Sequence, residues 1–270
     1  MISRPDKFSR SNIPCIFLIY YDFEVIEKSI NCLLKYSDKL DLTIVENKSE
    51  FTEISIKPFL LDLVNQMKIS QYILFEGNIS NNAIEVVCDS GLMKLGSHEY
   101  VLLTDGDLEV ITGYWLEEEI NILNNNADIF ACGISLNKEN LPIKTFSDAI
   151  NWIPLDIKEN QDYYEALTGM HLLLLRSSDF IDYLDYRKRN NLKFRDSTMH
   201  RFCYEIKNMK WARTKINQAR HLTWDSYNDL GHPYTKIKIS KKFEETWNHE
   251  LYSPFKVYMK GTFQCLNHKK

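Results

Sequence analysis

The sequence lacks any Cys-x-x-Cys pair and any Cys/His cluster at zinc spacing: Cys15, Cys32, Cys88, Cys132, Cys203 and Cys265 are scattered along 270 residues. That pattern excludes a zinc finger and a dithiol redox motif, and reads as reduced core thiols. No run approaches the roughly 18 continuous apolar residues of a membrane span. The polar opening MISRPDKFSRSNIP contains no apolar core of signal-peptide length, so a cytoplasmic location is expected. Basic excess is missing too. With 33 Lys and Arg against 37 Asp and Glu, the formal net charge is −4, which argues against a general nucleic-acid binder, because neutralising phosphates takes a basic surface. Glycine and proline are few, 9 and 7, and no repeat, low-complexity block or Pro/Gly/Ser linker marks off a second domain.

The chain is rich in core-forming residues. With 44% hydrophobic and 13% aromatic residues, it can bury a substantial core as one large domain or two tightly fused halves. IPCIFLIYYDF reads as a buried strand over about Ile13 to Tyr21. EVIEKSINCLLKYSDKL follows with Ile26, Ile30, Leu33 and Leu34 at helical spacing. LDLTIVENKS is a second buried strand, which completes a βαβ unit and implies a parallel sheet. The pattern repeats with a helix around KPFLLDLVNQMKIS, a strand at QYILFEG, a helix at NNAIEVVCDSGLMKLG and the strand YVLLTDGD. On the last of these helices Ile84, Val87, Cys88, Gly91, Leu92 and Leu95 make one apolar face. Beyond it come the strand ADIFACGISL, a long loop or lid up to QDYYEAL, a strand and helix start in TGMHLLLLRSSDF, and a helix then strand ending at His221.

Ligands of such α/β sheets bind at the carboxyl ends of the strands. The fourth strand ends in TDGD. Asp105 and Asp107 lie two apart, so on a continuing strand they share one face and each raises the cost of ionising the other. A positive partner is wanted beside them. A hard divalent cation that also grips a diphosphate suits the pair; a solvated D-G turn is the competing reading.

The order of the motifs, over most of residues 13 to 225, resembles the GT-A glycosyltransferases, specifically their family-2-like group of bacterial polysaccharide enzymes. The resemblance implies a Rossmann-like nucleotide-binding half (13–112) fused to an acceptor-binding half (113–235) around one central, mostly parallel sheet. Residues 1–235 then form a single catalytic domain, with a Lys-rich extension (236–270) packed on it. By the same resemblance, Tyr20, Tyr21 and Asp22 lie under the nucleotide, and Glu46, Asn47 and Ser49 lie near base and ribose, with Glu46 standing where aspartate is more usual. Gly77, Asn78 and Asn82 form the next loop, followed by Asp105 and Gly106 of the D-x-D motif. Asp105, Asp107 and His221 are the implied ligands of Mn2+ or Mg2+. The acceptor side is implied around Thr168, Gly169, Met170 and His171, and aromatics such as Trp152, Tyr163 and Tyr164 offer flat faces for sugars to stack on.

Family members place an acidic dyad at a helix N-terminus; here Arg195 precedes Asp196, so one carboxylate remains. Asp196 is the candidate general base that takes the proton from an attacking acceptor hydroxyl, and a helix N-cap is the structural alternative. For His221, too, a structural role stands beside that of ligand. The expected partners are a nucleotide-diphosphate sugar, most naturally a UDP-sugar, and a glycan or lipid-linked acceptor. The Lys-rich tail reads either as a helix docked through Phe243 and Trp247 or as a basic segment lying over the diphosphate or on an anionic membrane surface.

Three other functions are weaker fits. Phosphohydrolases with D-x-D carry it on the first strand with Thr or Val two residues beyond, where Glu109 stands here. A nucleotidyltransferase needs a Gly-rich, Arg/Lys-containing loop after the first strand, which is missing. A non-catalytic glycan-binding scaffold stays open because the dyad is reduced to Asp196.

Overall fold

The computed structural model describes residues 12–93, 95–240 and 252–266. In chain order the elements are β1 (Ile13–Ile19), α1 (Phe23–Leu33), β2 (Leu40–Asn47), α2 (Lys57–Asn65), β3 (Gln71–Phe75), α3 (Asn82–Asp89), β4 (Tyr100–Asp105), β5 (Leu108–Val110), α4 (Trp115–Asn125) and β6 (Ile129–Leu136). They continue with β7 (Lys158–Glu159), β8 (Tyr163–Glu165), β9 (Leu173–Arg176), α5 (Ser177–Arg189), α6 (Asp196–Arg201), β10 (Lys210–His221), α7 (Thr223–Tyr227), α8 (Pro233–Ser240), β11 (Phe255–Met259) and β12 (Thr262–Leu266).

Among the described residues twelve strands join one sheet in the order β12-β11-β3-β2-β1-β4-β9-β6-β10-β8-β7, with β5 pairing to β10 off that path. The βαβ pattern produces the parallel run β3-β2-β1-β4. Beyond β4 the sheet departs from the expected mostly parallel form. β9 inserts antiparallel between β4 and β6, and among the described pairings only β6–β10 is parallel in that half. The sheet is therefore mixed.

Helices cover both faces, so β1 is buried along its whole length. Alternate side chains serve opposite cores, as the two-residue strand repeat requires. Cys15, Phe17 and Ile19 pack with Ile26, Ile30, Leu60 and Trp115, whereas Ile16 and Leu18 pack with Ile84, Val87, Phe180 and Met199.

Three expectations need correction. β1 stops at Ile19 rather than Tyr21, because Tyr21 turns the chain at a φ of +76°. The helix expected through Leu95 ends at Asp89. Gly91, at φ +73°, reverses the chain there as left-handed glycines do at helix ends, and Leu95 reaches the core from a separate 3-10 turn. The described part of the C-terminal extension is not helix alone, because its residues 255–266 join the sheet. Residues 255–259 pair antiparallel with β3 and with 262–266 across a turn at Gly261, whose φ is +71°. Phe243 and Trp247 lie outside the described residues.

Candidate donor cleft

A cleft of about 310 Å³ opens where the carboxyl ends of β1, β2 and β4 meet α6, α7 and α8. Of the residues singled out from sequence, Tyr20, Asp22, Asn47, Asn78, Asp105, Gly106, Asp107, Asp196 and His221 line it. Leu18, Ile19, Val25 and Ile26 supply its apolar wall.

The TDGD turn is held tightly from both sides. Asp105 ends β4, and its backbone N–H donates to the Met170 carbonyl at 3.0 Å. Next, Gly106 crosses the end of β1 so closely that a Cβ there would sit 2.6 Å from Ile19 Cγ2 and 2.9 Å from the Leu18 carbonyl oxygen. Only glycine fits between the aspartates. The chain then enters β5, where the Ser29 hydroxyl of α1 donates to the Leu108 carbonyl (2.7 Å) and accepts from its N–H (3.2 Å). Leu222 N–H donates to the Asp107 carbonyl at 2.7 Å, and Asn140 Nδ2 donates to the His221 carbonyl at 2.8 Å. These bonds set His221 Nδ1 3.4 Å from Asp107 Oδ2. The Thr223 hydroxyl donates to the same oxygen, and the Trp224 ring stacks on His221 at 4.7 Å.

Burial dominates the electrostatics. It raises the Asp105 carboxyl well above the ordinary range, reinforced by Asp107 and Asp196 and opposed by Lys238. Asp196, at the first position of α6, is pushed up to about 6 by burial. His221 is lowered by burial against the pull of Asp107. Lys238 is likewise lowered by burial, while Asp107 and Asp105 hold its charge. Asp107 Oδ1, Asp196 Oδ1 and His221 Nδ1 are buried without a hydrogen-bond partner.

Among the described residues, no group of three or more His, Cys, Asp or Glu side chains converges as a ready metal cage. What the cleft offers is a pair of orphaned donors, the Asp107 oxygen and the His221 nitrogen. One carboxylate oxygen beside one imidazole nitrogen fits Mn2+ better than Mg2+, which prefers oxygen ligands, and leaves room for water and substrate phosphate on the ion.

The remaining sequence candidates, Asn47 apart, do not line the cleft. Glu46 and Asn47 are neighbours on β2 and point to opposite faces. Asn47 accepts from Ile79 N–H at 2.9 Å and donates to the Ser80 carbonyl at 3.3 Å, shaping the loop that rims the cleft. Glu46 is fully buried and accepts hydrogen bonds from Thr52 and Tyr72; burial raises it to about 7. Tyr21 turns away to donate to Glu50 at 2.7 Å. Ser49 closes a turn through its N–H to Thr52 Oγ1, and Asn82 is buried in the first turn of α3.

On the side assigned to the acceptor, Gly169 backs the cleft: a Cβ there would lie 3.1 Å from the His171 ring and 3.2 Å from Asp196 Oδ2. His171, lowered to about 3 chiefly by burial, stands edge-on to His221 at 5.7 Å. Met170 is a core residue. Trp152 packs on Phe146 and Tyr227, one layer behind the cleft wall.

Sequence reasoning missed Ser80, Asn81, Thr223, Tyr227, Tyr234 and Lys238, all of which line the cleft. The last two arrive on α8. Tyr234 stacks on Tyr21 at 5.2 Å and on Tyr227 at 6.0 Å, and His232 Nε2 lies 3.5 Å from Asp22 Oδ2. The Lys-rich stretch was the available signal, but it did not say which lysine points inward.

No family model matches the chain. It is similar to three uncharacterized proteins of Acanthamoeba polyphaga mimivirus. Two are 39% identical, over 91% and 93% of this chain but 34% and 51% of their own lengths. The third is 36% identical over 93% of this chain and 28% of its own. The chain thus spans about a quarter to a half of the curated relatives it matches. Among solved structures, a crystal structure of GalNAc-T7 with UDP, GalNAc and Mn2+ superposes on 78% of this chain and 44% of that one, with TM-score 0.51 at 8% identity. At that identity the likeness is one of fold and does not reach the family-2-like group. The chain has a GT-A-like fold, a mixed sheet flanked by helices.

Proposed function

We propose that this chain is a glycosyltransferase that moves a sugar from a nucleotide-diphosphate sugar, with a UDP-sugar as first choice, to a hydroxyl of a glycan or lipid-linked acceptor. The observation that carries the reading is one cleft at the strand ends that gathers Asp105, Asp107 and His221 beside Asp196. In this reading the Asn47-shaped loop and Asp22 take the nucleoside side. Asp107 and His221, with Asp105 beside them, would hold the Mn2+ or Mg2+ ion, whose contribution is to neutralise the departing diphosphate.

Asp196 accepts the acceptor's proton as the hydroxyl oxygen bonds to the anomeric carbon. The sugar–phosphate C–O bond breaks with its electron pair going to the diphosphate, and direct displacement inverts the configuration. An ordinary carboxyl is a weak base at neutral pH. One raised to about 6 by burial stays ionised at pH 7 and is a better proton acceptor. Gly169 leaves room on the His171 side of that carboxylate.

The test is a thermal-shift screen of nucleoside diphosphates and their sugars with and without Mn2+. Saturation at a hundred times Kd adds about 2.7 kcal/mol, so a Tm rise with one nucleotide, dependent on metal and lost in Asp107→Ala, is expected. No shift with any nucleotide refutes the reading. Nucleotide binding without turnover of any donor favours a non-catalytic scaffold instead.

A further inference from the structure

The charges lining the cleft do not balance. Among the described residues that line it are four aspartates, Asp22, Asp105, Asp107 and Asp196, against one lysine, Lys238. A diphosphate adds more negative charge to the same space.

Lys238 is not a stray surface lysine. α8 is pinned by Thr235, which donates to the Ser226 carbonyl at 2.6 Å, and by Tyr234 in its stack between Tyr21 and Tyr227. The Lys238 ammonium lies 5.3 Å from the Tyr234 ring centroid, on the wall it shares with Asp105 and Asp107.

We infer, resting on the donor-cleft reading above, that Lys238 is a diphosphate-binding residue that also serves as counter-cation to Asp105 and Asp107 while the cleft holds no divalent ion. The physical consequence is a change of sign. When only the carboxylates are present, Lys238 and a divalent cation compete for them and repel each other. Once a diphosphate lies between, both attract it and support one another's binding.

Lys238→Met keeps most of the apolar stem and removes the charge, so it separates the two effects. Mn2+ alone, followed by the resonance signal of the free ion, should bind this variant several-fold more tightly than wild type. UDP and the manganese pyrophosphate complex, followed by calorimetry, should bind it about tenfold or more weakly, the loss expected for one charge-assisted hydrogen bond. Lys238→Arg should restore both values toward wild type. A Met variant that weakens, or strengthens, both ligands together marks a merely structural lysine and overturns the inference. So does a UDP affinity in Lys238→Met equal to that of a wild type that binds UDP. If manganese pyrophosphate shows the expected loss while no nucleoside diphosphate binds wild type, the inference stands and the sugar-transfer reading falls.

Discussion

Asp196→Asn should disable the protein and stabilise it at once. The carboxyl is lifted from its ordinary 3.8 to about 6 by burial, so at pH 7 the native state holds an ion that the unfolded chain solvates better. Each pKa unit corresponds to about 1.4 kcal/mol, which bounds the cost at ~3 kcal/mol. Solvent at the cleft mouth and the favourable helix dipole at the start of α6, worth ~0.3–1 kcal/mol, reduce the gain from neutralisation to ~1–3 kcal/mol. For a chain of this length the entropy of unfolding is roughly 0.6 kcal/mol/K, so Tm should rise by ~2–5 °C at pH 8.

The sign follows from proton linkage. A raised carboxyl binds its proton more readily when folded, so wild-type stability increases as pH falls from about 6 to 3.8. The advantage of the Asn variant is therefore complete above the folded value and absent below the unfolded one. Donor turnover should fall by ~10²–10⁴, the usual contribution of a general base, and wild-type kcat/KM should drop about tenfold per pH unit below pH 6. The measurements are thermal unfolding at pH 8 and pH 4 and nucleotide release at saturating acceptor. An Asn variant less stable than wild type at pH 8, or one turning over within an order of magnitude of it, refutes the assignment.

Gly106→Ala should cost ~1–3 kcal/mol in urea unfolding, because the added methyl meets the Leu18 carbonyl at 2.9 Å as well as Ile19; it should also weaken metal-dependent nucleotide binding by displacing Asp105 and Asp107. Glu46→Gln should flatten the pH dependence of stability between 4.5 and about 7, where wild type loses stability as the raised carboxyl ionises in its buried site; a series of urea midpoints across that range reads it directly.

The first half of the fold was legible because its signals are local. β1 to β4 are apolar runs separated by helical spacing, and parallel βαβ linkage fixes where their carboxyl ends gather. The second half was less so. LLLLR announces a strand, but an apolar run on both faces carries no information on its neighbours, so the antiparallel insertion of β9 between β4 and β6 was invisible. The closing hairpin did leave a trace. Phe255 and Val257 are buried while Lys256 between them and Tyr258 after them are less so, a two-residue alternation followed by a glycine turn, and the density of lysines masked it.

At the site, motif position alone could not decide between adjacent residues. A strand sends neighbours to opposite faces, so of Glu46 and Asn47 only one could reach the cleft, and the acidic one, fully buried, went to Thr52 and Tyr72. The aspartate pair is set differently: β4 ends at Asp105 and Asp107 follows in the turn before β5, yet both line the cleft. Two carboxyl groups in one cleft are eased by a cation, and the sequence around TDGD offers none: the neighbouring side chains are apolar, acidic or small. Necessity was therefore readable, but its source was not. Lys238 reaches the cleft it shares with the pair because β10 carries the chain to His221 beside Asp107, after which α7 and the Tyr234 stack bring α8 to Tyr20 and Tyr21, just past the end of β1. On the proposed reading, a cation delivered by tertiary packing, unlike one fixed on the strand itself, can leave the aspartates to a divalent ion and turn to the diphosphate when that ligand arrives.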